Sequence, residues 1–382
     1  MKRMLCVILL VSIIFVWQPT PAKAAPMEVK AKSALLMDVT TGTVLFEQNA
    51  HEALAPASVT KVMTLLLIME AIDSGAIGWN DTVTASEAAA AKGGSQVYLK
   101  AGETMTVSDM VKAIAVSSAN DCACAMAEHL CGSESAFVDK MNTRAKELGM
   151  ENTHFVNCTG LDDGPDAAQH KTSAYDIALM SAELLRNHPD IKKYTTIWMD
   201  TLRNGTFGLS NTNKLIRFYP GATGLKTGFT SNAGYCLSAS AQRDGMELVA
   251  VVMGAKTTQD RFNACKSLLD YGFANYALIQ PSLEQLPTIA VKLGTNSVVE
   301  AEPSGQSCLL IEKGQKNQVS THIELEEQVT APISQGQRLG TLTIKAGEQV
   351  LAQIPMVAKE AVPRLTFGDL FLEMLKHITM AK

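Results

Sequence analysis

Residues 62–72 form an almost unbroken apolar run. No polar stripe interrupts it, so it predicts a buried helix rather than a one-sided surface helix. The helix should open near Ser58, just after Pro56, and stop at Ser74-Gly75. Upstream, residues 33–38 and 43–47 flank Thr41-Gly42 and read as a hairpin. Between Ser108 and Leu148, Met110, Val111, Ile114 and Ala115 recur at helical spacing, as do Phe137, Met141, Ala145 and Leu148. Residues 175–185 predict another helix. Residues 235–241 and 248–253 predict strands around the turn Arg243-Asp244-Gly245, and 261–271 a further helix. A strand pair, helices, then strands and a helix suggest a sheet covered by helices.

The pattern changes near Pro281. Short alternating runs follow at 288–293, 319–325, 339–344 and 350–357, punctuated by Gly294, Gly305, Gly314, Pro332, Gly336 and Gly347. They predict a small all-β domain over 281–360. Residues 361–382 differ again. Phe367, Leu370, Phe371, Met374, Leu375 and Ile378 share one helical face, with Asp369, Glu373, Lys376 and His377 mostly opposite. Such a helix fits a membrane interface, or docking on the β domain, equally well by composition. At the other end, Met1-Lys2-Arg3 precedes apolar residues 4–17, and Ala22-Lys23-Ala24 supplies a small-x-small cleavage pattern. Fourteen residues span roughly 21 Å as a helix, short of a ~30 Å hydrocarbon core. Residues 1–24 therefore read as an export signal.

Composition narrows the function. With 33 basic and 38 acidic side chains the net charge is −5, which disfavours a nucleic-acid binder. Seven cysteines remain after Cys6 leaves with the signal, and no C-x-x-C occurs. Cys122, Cys124 and Cys131 are spaced as small core residues rather than as a thiolate metal site. The seven histidines are scattered. There is no G-x-S-x-G, H-E-x-x-H, G-x-G-x-x-G or Walker loop, and no metal or cofactor is expected.

Three short patterns occur once each, in order: Ser58-Val59-Thr60-Lys61 at a helix start, Ser118-Ala119-Asn120 between helical stretches, and Lys226-Thr227-Gly228 just before a predicted strand. Residues three apart on a helix share a face, so Lys61 can reach the Ser58 hydroxyl. That hydroxyl is a poor nucleophile until a base takes its proton. A lysine serves only if its neutral form is populated, which burial or a neighbouring cation such as Lys226 promotes. The Ser58 backbone N–H and one from a strand edge near Phe229 could form an oxyanion hole, each donor contributing ~3 kcal/mol.

With these motifs, the chain resembles the penicillin-binding D-alanyl-D-alanine carboxypeptidases of the low-molecular-mass serine type (peptidase S11), Gram-positive members in particular. Leu54-Ala55-Pro56-Ala57, Gly93-Gly94-Ser95, Thr172-Ser173-Ala174-Tyr175-Asp176 and Val251-Val252-Met253-Gly254-Ala255 share the likeness. The resemblance implies an α+β fold: a β-lactamase/transpeptidase-like catalytic domain over 25–280, its antiparallel sheet covered by helices, then the small β domain and the amphipathic helix. It implies that Ser58 attacks the penultimate D-alanine carbonyl of a peptidoglycan stem peptide, with Lys61 as base. Ser118 would pass a proton to the departing D-alanine. Asn120 would bind the peptide backbone and help hold Lys61. Lys226, Thr227 and Arg261 would receive the terminal carboxylate, and Gly228 would let the strand edge approach the substrate. Phe229 would supply the second oxyanion N–H. β-Lactams would be trapped on Ser58. The enzyme would be exported and held on the outer face of the cytoplasmic membrane by its last helix. Ala119 stands where the family commonly has glycine, which negative φ there would tolerate.

Three other readings compete. A class A β-lactamase needs a glutamate that activates water; the nearest candidate, Glu183, lies inside a predicted helix without the expected neighbours. A β-lactam sensor needs no activated nucleophile, so Ser58, Lys61 and Lys226 argue against it. Transpeptidation replaces water by an amine and is not separable from hydrolysis by sequence.

Overall fold

The computed structural model describes residues 29–280, 286–305, 308–369 and 371. The expected signal segment lies outside them, as does most of the expected C-terminal helix.

Five strands form one antiparallel sheet: β1 (Ser33–Asp38), β2 (Val44–Gln48), β3 (Ala222–Thr230), β4 (Gly234–Arg243) and β5 (Met246–Ala255), in the order β2-β1-β5-β4-β3. β1 and β5 are buried on both faces, so alternate side chains serve two cores. Leu35, Met37, Val249, Val251 and Met253 enter one; Ala34, Leu36, Leu248, Ala250 and Val252 enter the other. The first core is closed by α1 (Lys61–Asp73), α2 (Val107–Ser117), α3 (Asn120–Cys131), α4 (Glu134–Glu147) and α5 (Ala174–Asn187). The second is closed by α6 (Thr258–Asn275). Every residue from Lys61 to Met69 is buried, which is why the apolar run carries no polar stripe.

The helical stretch from 108 to 148 is three helices. Ser118 ends α2 in the left-handed region at φ 67°, and Gly132 ends α3 at φ 79°. Ser133 caps α4, its hydroxyl accepting from the Ala136 N–H at 3.2 Å. The K-T-G tripeptide, expected ahead of a strand, lies inside one. β3 contains Gly224, Lys226 and Gly228, which dilute the β signal, and its pairing with β4 (Lys226 opposite Ser238, Gly228 opposite Cys236) overrides it.

A second sheet comprises β6 (Thr288–Lys292), β7 (Val298–Pro303), β8 (Val319–Leu325), β9 (Gln328–Thr330), β10 (Arg338–Ala346) and β11 (Gln349–Ala358), ordered β8-β10-β11-β7-β6-β9. All four expected strands are present; β7 and β9 join them. This sheet has its own core, including Ile289, Val299, Leu342, Ile344 and Met356. Beyond it, Phe367 and Phe371 are exposed.

Candidate active site

The chain turns sharply just before Ser58. Ala57 has φ 49°, a conformation costing an L-residue roughly 1–2 kcal/mol. Ala57–Thr60 then form one 3-10 turn, and the α-helix itself opens at Lys61. In a 3-10 turn residues three apart eclipse each other, which brings Lys61 over Ser58 more directly than an α-helical start. The Lys61 Nζ lies 3.0 Å from Ser58 Oγ and donates to the Thr159 carbonyl at 2.7 Å. Lys61 is fully buried, and desolvation lowers its pKa from 10.5 to about 7, against a smaller opposing pull from Asp121. Near neutrality the amine is therefore substantially uncharged, and the 3.0 Å contact can run the other way, with the hydroxyl donating to Nζ. Burial brings about this shift on Lys61. The mutual repulsion of the cations falls instead on Lys226, whose pKa is pushed well below its usual value by burial, then by Lys61 and Arg261.

Ser118 stands at the left-handed end of α2, and its buried Oγ makes no hydrogen bond among the described residues. Asn120 opens α3. Its side-chain amide donates to the Gly93 carbonyl at 2.7 Å and its backbone N–H to Ser95 O at 2.7 Å, while its Oδ1 is buried and unpartnered. The Lys61 amine is held by the Thr159 carbonyl, and the Asn120 Oδ1 expected to help hold it makes no such contact here. Ala119 between them has φ −56°, so its methyl group fits without strain, Ser118 having taken the left-handed position.

β3 is the edge of its sheet and lies against the Ser58 turn. A Cβ on Gly228 would sit 2.7 Å from the Pro56 carbonyl and 3.1 Å from the Ser58 nitrogen. The glycine is thus needed for close approach to the nucleophile's own backbone, not only to a substrate. Phe229 follows it, half-exposed and tilted against Tyr235 with ring centroids 4.3 Å apart. The Lys226 ammonium donates to Thr227 O at 2.9 Å, and the Thr227 hydroxyl donates to Thr212 Oγ1 at 2.7 Å. Arg261 reaches under the sheet from α6. Its Nη1 donates to the carbonyls of Gly228 (3.1 Å) and Cys236 (3.2 Å), and its buried Nε is unpartnered. Arg261 thereby pins the two strands together, a role the sequence did not suggest.

The structure brings Ser58, Lys61 and the β3 edge at Gly228 into direct contact, sets Ser118 and Asn120 at the α2–α3 junction, and ties Arg261 to the β3–β4 pair. Six buried side-chain polar atoms lack a partner among the described residues, and three of them belong to candidate site residues: Ser118 Oγ, Asn120 Oδ1 and Arg261 Nε. Buried polar groups are normally paired, so each of these atoms is free to meet a water or another molecule. Thr159, Thr60 and His170 were not anticipated. Their contacts span 98 and 110 residues, and no local pattern announces them. Glu183 on α5 is tied to Arg144 at 2.7 Å, an ion pair that accounts for it structurally. Among the described residues no group of three or more His, Cys, Asp or Glu gathers to hold a metal, and the cysteines from Cys122 to Cys308 are free.

Residues 20–257 match the family model described as D-alanyl-D-alanine carboxypeptidase (peptidase S11), and 284–364 match that of the penicillin-binding protein 5 C-terminal domain. The chain is 44% identical over 380 residues to the D-alanyl-D-alanine carboxypeptidase DacF of Bacillus subtilis, covering 96% of each. It is similar to the crystal structure of penicillin-binding protein 5 from Haemophilus influenzae (TM-score 0.75, 30% identity), covering 89% of this chain and 99% of that one. Penicillin-binding protein D2 of Listeria monocytogenes in its ampicillin-bound form matches 65% of this chain and all of that one (TM-score 0.59, 32% identity).

Proposed function

Because the chain belongs to the D-alanyl-D-alanine carboxypeptidase (peptidase S11) family and is such a carboxypeptidase, we propose that it removes the terminal D-alanine of peptidoglycan stem pentapeptides through an acyl-enzyme on Ser58. The contact between the Ser58 hydroxyl and the buried Lys61 amine carries this reading. The neutral amine takes the hydroxyl proton as Oγ attacks the penultimate carbonyl carbon. The oxyanion that forms accepts from the Ser58 and Phe229 N–H groups in this reading; the close approach of Gly228 to the Ser58 nitrogen supports it. Arg261, and Lys226 once an incoming carboxylate offsets its burial, supply the positive field for the terminal carboxylate, and the Thr227 hydroxyl supplies a hydrogen bond. The C–N bond breaks as Ser118 relays the proton from Lys61 to the leaving nitrogen. Water then cleaves the ester and restores Ser58.

β-Lactams, whose strained amide presents the same atoms, acylate Ser58 in this reading; the ampicillin-bound relative supports it. The division into a catalytic domain over 25–280 and a small β domain over 281–360 belongs to the same proposal, supported by family matches that end at 257 and begin at 284. So does export, with action outside the cytoplasm at the wall and the membrane surface.

The test uses a pentapeptide ending in D-Ala-D-Ala. Released D-alanine should be abolished by Ser58→Ala, and the mass of one opened penicillin should map to Ser58. Release that survives the substitution, or an adduct on another side chain, overturns the assignment.

A further inference from the structure

The Ser58 turn is braced from below by a buried relay. The Thr60 hydroxyl donates to the Ala57 carbonyl at 2.8 Å. His170 Nε2 lies 2.8 Å from the same hydroxyl oxygen. The Val156 N–H donates to His170 Nδ1 at 3.1 Å. Nδ1 is therefore the acceptor, and the single proton of the neutral ring sits on Nε2, where it donates to Thr60. Burial keeps the ring neutral, lowering its pKa to about 4. The donors thus run in one direction, from Val156 through His170 and Thr60 to the carbonyl of Ala57, the strained residue that precedes Ser58.

The same segment touches the base. Thr159 O holds the Lys61 amine. The next residue, Gly160, packs so closely on the turn that a Cβ there would lie 1.8 Å from the Ala57 oxygen and 2.8 Å from Thr60 Oγ1. Residues 156–160 therefore orient the histidine, anchor the lysine and press on the turn at once.

We propose that Thr60 and His170 are positioning residues for acylation: their relay holds the Ala57 carbonyl, and so the left-handed turn that aims Ser58 at the scissile carbonyl. The proposal rests on the acyl-serine reading above. A relaxed Ala57 would swing the nucleophile away while pairing with β4 still holds the carboxylate-binding strand. Misplacement of a reacting atom by about 1 Å costs on the order of 100-fold in rate.

The test is stopped-flow acylation by a fluorescent penicillin across a concentration series, which separates pre-covalent Kd from the acylation rate. Thr60→Val should slow acylation roughly 10- to 100-fold with Kd unchanged within about threefold. Thr60→Ser, which restores the hydroxyl, should return to within about threefold of the parent rate. His170→Phe keeps the ring packing on Phe155 but not the donor, and should match Thr60→Val. The double variant should be no slower than either single one, because both break one relay. Should valine prevent folding, Thr60→Ala reports on the same hydroxyl. Parental rates in Thr60→Val, multiplying losses in the double variant, or a loss confined to Kd would each overturn the relay. Absence of any adduct in the parent protein would instead remove the acyl-serine reading, and this proposal with it.

Discussion

Lys61 carries opposed demands. Folding favours water around an ammonium, whereas catalysis requires the amine dry and neutral. Its pKa of about 7 against 10.5 implies roughly 5 kcal/mol withheld from folding at neutral pH and below. The sign follows from proton counting. Between pH 7 and 10.5 the unfolded chain holds more protons at this site, so stability rises with pH across that window. Lys61→Met should therefore melt above the parent protein at pH 6, with the advantage shrinking toward pH 10, while acylation is lost. In the parent, the rate of acylation by penicillin should climb as pH passes through about 7 and then level off. A flat profile from pH 5 to 9 would exclude Lys61 as the base. The identities of Ser58 and Lys61 were plain in the sequence because three-residue spacing is a local property. The burial of Lys61 was not, since Thr159, which anchors the amine, arrives from 98 residues away.

The elements that carry these residues were mostly legible. The hairpin, the buried helix and the later strands and helix follow from apolar spacing. β3 was the exception, because glycine and lysine obscure its alternation, and only pairing with β4 reveals it. Its position at the sheet edge makes Gly228 decisive. Gly228→Ala would drive a methyl group to 2.7 Å from the Pro56 carbonyl and 3.1 Å from the Ser58 nitrogen. Backbone cannot yield as a flexible side chain can, so overpacking should cost about 1–3 kcal/mol. We expect a lower melting temperature and acylation slowed by at least about tenfold as the oxyanion donors separate. Thermal unfolding and penicillin labelling measure both. An alanine variant with parental labelling would show that the strand edge and the serine turn do not work as a unit. Ala119 illustrates the opposite case: its negative φ lets a methyl group stand in the middle motif because Ser118 bears the left-handed turn.

At the scale of the whole molecule, two cores sandwich one sheet and a second sheet encloses a third core. No described helix is long and apolar enough to cross a membrane. The exposed Phe367 and Phe371 begin the apolar face anticipated for the last segment. Deleting residues 366–382 should move the protein from the membrane fraction to the soluble fraction without changing acylation by penicillin. Continued sedimentation with membranes would place the attachment elsewhere. The sequence alone determined the order of the three motifs, the chemistry available to them and most of the elements, because spacing along a helix or strand is a short-range property. Only the tertiary structure decided which carbonyl anchors Lys61, how Arg261 is spent and why Gly160 and Gly228 must lack side chains. Those facts depend on chain segments tens of residues apart meeting at van der Waals distance, and burial, the force that shifts the lysine, exists only once they have met.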